Sequence, residues 1–267
     1  MTFKTLDKSC LSPKHKKVIF GLPVFLFLVF LSFRIINKEQ YFYFIQEDGL
    51  VEYLQSFFYL LAAVLAAIIA DHFFKNTQKK LAVVYLLFSL ALFFVAGEEI
   101  SWGQRIFNLE NPNFFSQHNR QEEISIHNLG PIQDLLHFGY ILTGFFGAFS
   151  YYLAKPLLKK YQNLKKDNYY LLFLPQPVTK LYFLFLASFY FFFDYIKEPL
   201  IKLLAKLPIS TIDHVGRDTL IWLKVNHLFI RDWVTPYDQE VFELFLALGV
   251  LIFVWENWRR VRTQSKI

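Results

Sequence analysis

The residues of this chain best suited to chemistry are carboxylates and imidazoles placed beside apolar runs. Two adjacent glutamates, Glu98 and Glu99, follow the uncharged run Leu81–Ala96, and no basic residue comes before Arg105. Glu52 stands near the start of a second run, on a stripe with Asp48, Gln55 and Ser56 whose i, i+4, i+7, i+8 spacing is one helical face. Glu240 and Glu243 open a third run. His127 lies in the polar stretch 105–130, and Asp134 and His137 occupy i, i+3 positions at the head of a fourth run. Carboxylates and imidazoles relay protons near neutral pH and hold divalent metals such as zinc. Glu99, His127, Asp134 and His137 are therefore the candidate acid–base groups. Glu52, Glu98, Glu99, His137 and Glu243 are the candidate metal ligands. Asp48, Ser101, Gln104, Arg105, Asn128 and Glu240 add polar groups at the same level.

A structural role competes at each position. Acids in the first turn of a helix complement its dipole, which accounts for Asp48, Asp238 and Glu240 without any chemistry. Glu98 and Glu99 sit at the C-terminal end of an outward-running helix, where negative charge is disfavoured. If that helix continues, Glu98, Ser101 and Arg105 share a face and Glu98 pairs with Arg105. Glu99 then points elsewhere and has the strongest case for a role beyond structure. His127 and His137 are open to hydrogen-bonded structural roles, and His118 more so.

Six apolar segments position these groups: Val18–Ile36, Leu50–Ala70, Leu81–Ala96, Ile132–Leu153, Val178–Phe193 and Val241–Val254. They alternate the intervening stretches between two sides of a membrane. One side carries 18 of the 28 Lys and Arg residues against four acids, Asp7, Asp71, Asp167 and Glu256. The other keeps 18 acids and five of the seven histidines. Basic residues collect on the cytoplasmic side, so both termini are expected there and the acidic groups on the outer face. With 55% hydrophobic residues, 33 Phe and a mean hydropathy of +0.31, the chain has more apolar surface than a water-soluble domain of its size buries. The expected fold is an all-α, polytopic bundle of six transmembrane helices forming a single domain.

Length bears directly on the glutamates. Leu81–Ala96 covers about 24 Å at roughly 1.5 Å per residue, short of a hydrocarbon core of about 30 Å. Its helix is therefore expected to run on through Gly97-Glu98-Glu99-Ile100-Ser101-Trp102. Val241–Val254 likewise needs Gln239, Glu240 and Trp255, with Thr235 as N-cap, Pro236 at N1 and Asp238 at N3. Three helices thus bring acid to one depth, where an intramembrane charge faces a bundle interior or a wet cavity.

Several function classes drop out. The net charge of +6 comes from residues spread along helix flanks, where topology and anionic headgroups account for them, so no nucleic-acid partner is expected. Val18–Ile36 follows three lysines as a signal peptide would, but Ser32-Phe33-Arg34-Ile35-Ile36 contains no small-x-small cleavage site and the segment is expected to be retained. The single cysteine, Cys10, permits no internal disulfide. Dinucleotide, Walker and HExxH motifs are absent from the sequence, as is an internal repeat.

The stretches Glu47-Asp48-Gly49-Leu50-Val51-Glu52, Gly97-Glu98-Glu99-Ile100-Ser101-Trp102-Gly103-Gln104-Arg105 and Gln121-Glu122-Glu123-Ile124-Ser125-Ile126-His127-Asn128 resemble a bacterial family of multi-span membrane proteins. The resemblance covers most of the first 140 residues and, weakly, the Glu240–Glu243 helix. It implies the cytoplasmic (inner) membrane of a bacterium and no particular reaction. Membrane hydrolases related to alkaline ceramidases share the ingredients of His, Ser and Asp around zinc, but their paired-histidine signature is missing, since no His-x3-His occurs here.

The second outer segment, 194–238, reads as lying on the membrane. Leu200, Ile201, Leu203, Leu204 and Leu207 oppose Lys202 and Lys206, as in an interfacial helix. Ser210 to Asp218 suggests a second one, and Trp222 and Trp233 suggest interfacial anchors. Three functions fit an outward-facing acidic, histidine-containing pocket beneath two outer segments. It is a metal-assisted hydrolase or transferase site for a lipid-linked substrate, the polar network of a scaffold or assembly subunit, or a cation or proton site. Transport is disfavoured because the inner halves of the spans hold little polar beyond Ser89 and Thr143.

Overall fold

The computed structural model describes residues 11–46, 48–119, 123–161, 172–197, 199 and 235–264. Among them the regular structure is helical: α1 (Pro13–Ile36), α2 (Lys38–Ile45), α3 (Leu50–Lys75), α4 (Lys79–Glu99), α5 (Asn113–His118), α6 (Gly130–Tyr161), α7 (Lys180–Phe192) and α8 (Gln239–Gln264). The six apolar segments fall on α1, α3, α4, α6, α7 and α8. Five stretches are long and apolar enough to cross a membrane: Pro13–Ile36, Lys38–Lys75, Lys79–Glu99, Pro177–Lys197 and Gln239–Thr263. The 32-residue α6, whose N-terminal half bears Gln133, His137 and Tyr140, is not among the five. The protein is an all-helical, membrane-integral bundle. Apart from residues 197 and 199, the interfacial helices expected over 197–207 and 210–218, with Trp222 and Trp233, lie outside the described residues.

Small residues set the packing. In lipid, helices are held together by close approach and interhelical hydrogen bonds, because tails are as apolar as the side chains themselves. The α3–α4 seam buries Ala62, Ala63, Ala66 and Ala70 against Ala82, Tyr85, Leu92 and Ala96. Ser89 Oγ donates to the Ala63 carbonyl at 2.8 Å, and Ser56 Oγ to the Ala96 carbonyl at 2.7 Å. Such bonds contribute roughly 0.6–1.7 kcal/mol each. The α6–α7 seam is tighter still: a Cβ on Gly147 would lie 2.2 Å from the Phe183 ring, so no larger residue fits without displacing a helix. α8 lies against both α3 and α7, giving a packed order α4, α3, α8, α7, α6.

α1 is joined to the others near its C-terminal end. Arg34 forms a buried ion pair with Asp238, and Tyr41 of α2 donates to the same carboxylate at 2.6 Å. Asp238 also accepts from the Thr235 amide at 2.6 Å and its hydroxyl at 3.0 Å, which ties down the turn Pro236–Asp238 leading into α8. Large apolar side chains such as Phe25, Leu87, Phe93 and Phe145 point outward, as a lipid-facing surface requires.

Candidate functional site

α4 ends at Glu99, and the continuous helix expected through Trp102 does not form. Ser101, Trp102 and Gly103 adopt left-handed φ values of 46°, 54° and 75°, turning the chain sharply. Gly97 makes the turn possible, because a Cβ there would lie 2.8 Å from the Trp102 ring, which folds back onto α4 against Phe93 and Phe94. The reversal sends residues 123–128 across the end of the bundle where α4 stops, and the polar groups of the Gly97–Arg105 motif fasten them there. Ser101 Oγ donates to Glu123 at 2.7 Å, and Gln104 Oε1 accepts the Ile124 amide at 2.6 Å. Arg105 pairs with Asp48 and, at 2.7 Å, with Glu123.

Consecutive helical residues point about 100° apart, and Glu98 and Glu99 divide accordingly. Glu98 accepts the Ile126 amide at 2.6 Å, the His127 amide at 3.0 Å and the Trp102 indole N–H at 2.7 Å. The expected Glu98–Arg105 pair is corrected: the left-handed turn takes Arg105 off the α4 face and toward Asp48 and Glu123. Glu99 turns into a cavity that Glu98 does not line.

That cavity, about 30 Å³, has room for roughly two water molecules. It is bounded by Glu52 of α3, Glu99 of α4, Gln133, His137 and Tyr140 of α6, Tyr190 of α7, Glu240 and Glu243 of α8, and Glu123, His127 and Asn128 of the overlying stretch. Three of its four helical glutamates have donors. Glu52 accepts the Asp48 amide at 2.6 Å, Glu240 accepts from Gln55 Nε2 at 3.1 Å, and Glu243 accepts from the buried Tyr190 hydroxyl. Among the described residues none donates a hydrogen bond to Glu99. His137 Nδ1 lies 3.1 Å from Asp194 Oδ1, which leaves Nε2 for the cavity, and its ring packs 4.8 Å from that of Tyr190. Asp194 belongs to a π-helical turn, Phe193–Lys197, that extends α7. Such turns are frequent at functional sites.

The structure thus brings Glu52, Glu99, His127, His137, Glu240, Glu243 and Asn128 to one cavity. Asp48, Ser101, Gln104 and Arg105 form the layer that holds its cover. Asp134 lies in the first turns of α6, and its side chain is outside the described residues. His118 is exposed and stacks on Phe114 at 4.8 Å, away from the cavity. The expected metal ligand set of Glu52, Glu98, Glu99, His137 and Glu243 is not assembled. Glu98 is committed to backbone amides and His137 Nδ1 to Asp194, and among the described residues no three His, Cys, Asp or Glu side chains are grouped to hold a metal ion. Sequence reasoning passed over Glu123, Gln133, Tyr140, Tyr190 and Asp194. A π-turn and an aromatic hydroxyl inside an apolar run leave no periodic signal, whereas Glu123 was visible in the Gln121–Asn128 stretch. Comparison with protein families, curated proteins and solved structures gives no match to this chain.

Proposed function

We propose that this protein is a membrane-embedded hydrolase or transferase that acts on a lipid-linked substrate from the outer face of a bacterial cytoplasmic membrane. In this reading the chain spans the membrane six times with both termini inside, α6 being the sixth span, and belongs to the multi-span family that its Glu98–Arg105 motif resembles. The observation that carries it is Glu99: a carboxylate without a hydrogen-bond donor among the described residues, facing a cavity that also presents His137 and two tyrosines. A base must keep a lone pair open to the proton it removes, and Glu99 does. Glu99 takes the proton from a water or hydroxyl as that oxygen attacks the substrate. His137, oriented by Asp194, returns a proton to the leaving group, and His127 borders the same space from above. The neighbouring carboxylates disfavour negative charge there, which suits a neutral or cationic reacting group.

The test is complementation of a deletion strain combined with mass spectrometry of its membrane lipids. Glu99→Gln and His137→Ala are expected to accumulate normally in the membrane, fail to complement, and leave the lipid profile of the deletion. Normal complementation by both would overturn the enzyme reading and leave the cluster as the polar network of a scaffold. Reporter fusions are expected to place residues 105–130 outside and both termini inside; a terminus on the outer side would overturn the topology.

A further inference from the structure

Beyond α4 the chain stays on the lipid-facing side of that helix. The 21 residues of α4 cover about 31 Å, so its last residue stands near the edge of a hydrocarbon core of about 30 Å. Trp102 folds back onto it, with ring centroids 6.5 Å from Phe93 and 5.5 Å from Phe94. Both positions lie roughly 8 Å short of the end of α4 along its axis. Phe93 and Phe94 are exposed residues of the surface that meets lipid, and Trp102 is itself 42% exposed. Its ring therefore prolongs that surface to the membrane edge.

The residues that follow extend it further. Ile106, Phe107 and Leu109 are 55%, 71% and 52% exposed, yet their turn is held from several directions. The Phe107 amide donates to the Gly103 carbonyl at 2.9 Å and the Leu109 amide to the Gln104 carbonyl at 2.8 Å. The Phe107 ring packs so closely on Gly103 that a Cβ there would lie 2.9 Å away. Arg105, in the same turn, is paired with Asp48 and Glu123. A fixed turn that presents large apolar side chains side by side marks an interaction surface.

We infer that the partner of this surface is the bilayer itself: Trp102, Ile106, Phe107 and Leu109 sit at the boundary between headgroups and acyl chains, beside the end of α4. Continuity decides for lipid over a protein partner, because Trp102 joins the patch to the lipid-facing side of α4 without a polar break. Composition agrees. Segments that lie in the interface are rich in Trp, Phe and Leu. From Ile106 to His118 the sequence has one Asp, Glu, Lys or Arg, Glu110, so the attraction is apolar and not a matter of anionic headgroups. Ser101 and Arg105 of the same reversal bond Glu123, so the cover of the carboxylate cavity is held at the membrane edge. This surface is independent of the reaction proposed above.

The test uses the full chain with Cys10→Ser, which removes the native thiol, and one introduced cysteine carrying a nitroxide spin label. Each protein is reconstituted in phosphatidylcholine vesicles, and collisions of the label with oxygen, which concentrates among acyl chains, are compared with collisions with a water-soluble nickel chelate. Phe93→Cys on the lipid-facing side of α4 and Lys75→Cys, exposed at the opposite end of the bundle, set the two limits. Phe107→Cys and Leu109→Cys are expected to give an oxygen-to-nickel ratio close to that of Phe93→Cys and several-fold above that of Lys75→Cys. Ile106→Cys supplies a further site should Phe107→Cys not fold, since the Phe107 ring packs on Gly103. The ratios should be the same in phosphatidylglycerol vesicles. Ratios equal to that of Lys75→Cys would place the turn in water and overturn the inference. Labels shielded from both reagents would show a protein or a second copy covering the patch, and would overturn it too. A lipid-like ratio confined to phosphatidylglycerol would overturn the apolar account of the attraction.

Discussion

Glu98→Gln and Glu99→Gln are neighbouring, nearly isosteric changes that the structure expects to behave in opposite ways. Glu98 accepts the Ile126 and His127 amides on one oxygen, which His127 Nδ1 also approaches at 3.4 Å, and the Trp102 indole on the other, and its side chain is only 6% exposed. A glutamine there can keep its oxygen toward the two amides only by turning its NH2 toward the indole N–H, donor against donor. One bond is lost outright and the other two lose their charge. A hydrogen bond to a charged group contributes about 1.5–3 kcal/mol and an unsatisfied buried group costs about 1–3, so the loss should come to roughly 2–4 kcal/mol. For a chain of this size that corresponds to a fall in melting temperature of roughly 4–16 °C. Trp102 should also become more mobile and change its emission, because the bond to Glu98 ties its indole N–H to α4. Glu99→Gln removes no hydrogen bond and takes away one of several like charges, so its melting temperature should match or exceed that of the native protein. Thermal unfolding in one detergent, followed by tryptophan fluorescence, compares the two. A Glu99→Gln protein destabilised as much as Glu98→Gln would refute the division of roles between them.

Three further outcomes follow from the packing. Tyr190→Phe deletes the hydroxyl that donates to buried Glu243 and should destabilise by roughly 1–3 kcal/mol, read as a lower midpoint in chemical denaturation. Gly147→Ala places a methyl group within the Phe183 ring and should cost about 1–3 kcal/mol through overpacking at the α6–α7 seam, whereas Gly139→Ala, with nothing within 4 Å of its Cβ, should be neutral in the same assay. Arg34→Met strands Asp238 in a buried setting and should cost about 3–5 kcal/mol; engineered cysteines on α1 and α8 near that pair should then cross-link poorly.

Hydropathy and charge made the helices legible. Lipid contact demands uninterrupted apolar runs, and each of the six runs falls on a helix of the structure. The turn into α8 was legible for the same local reason: Thr235 and Asp238 act within one turn, as their spacing said. Depth was legible too, since acids at the same ends of three helices have few places to go but into the bundle. Rotation was not. Whether Glu98 or Glu99 faces the cavity depends on where α4 stops, and that depends on the left-handed turn at Ser101 and Trp102, which uses residues with no intrinsic preference for that conformation. The pairing of Arg105 with Asp48, 57 residues away, and of His137 with Asp194, also 57 away, are long-range contacts that periodicity does not reach.

The turn at Ser101 and Trp102 explains why one motif contains so many polar groups. Non-glycine residues held in left-handed conformations cost about 1–3 kcal/mol each, and the surroundings must over-determine them. Here the bonds from Trp102 to Glu98 and from Ser101 to Glu123 do so from both sides of the turn. In return the chain reverses immediately after Glu99, and the 123–128 stretch lies over the cavity and not out in the aqueous phase. Gln104 and Glu98 fix that stretch by its backbone amides, at Ile124, Ile126 and His127, so its position is independent of most of its side chains. Glu99 is thereby left at the end of α4 beneath a fixed cover, with no hydrogen-bond donor among the described residues. On the proposed reading of Glu99 as a base, proton removal requires a site held to within fractions of an ångström by a supporting layer. Glu98, Ser101, Gln104 and Arg105 are that layer, and their variants should change the melting temperature before they change the chemistry.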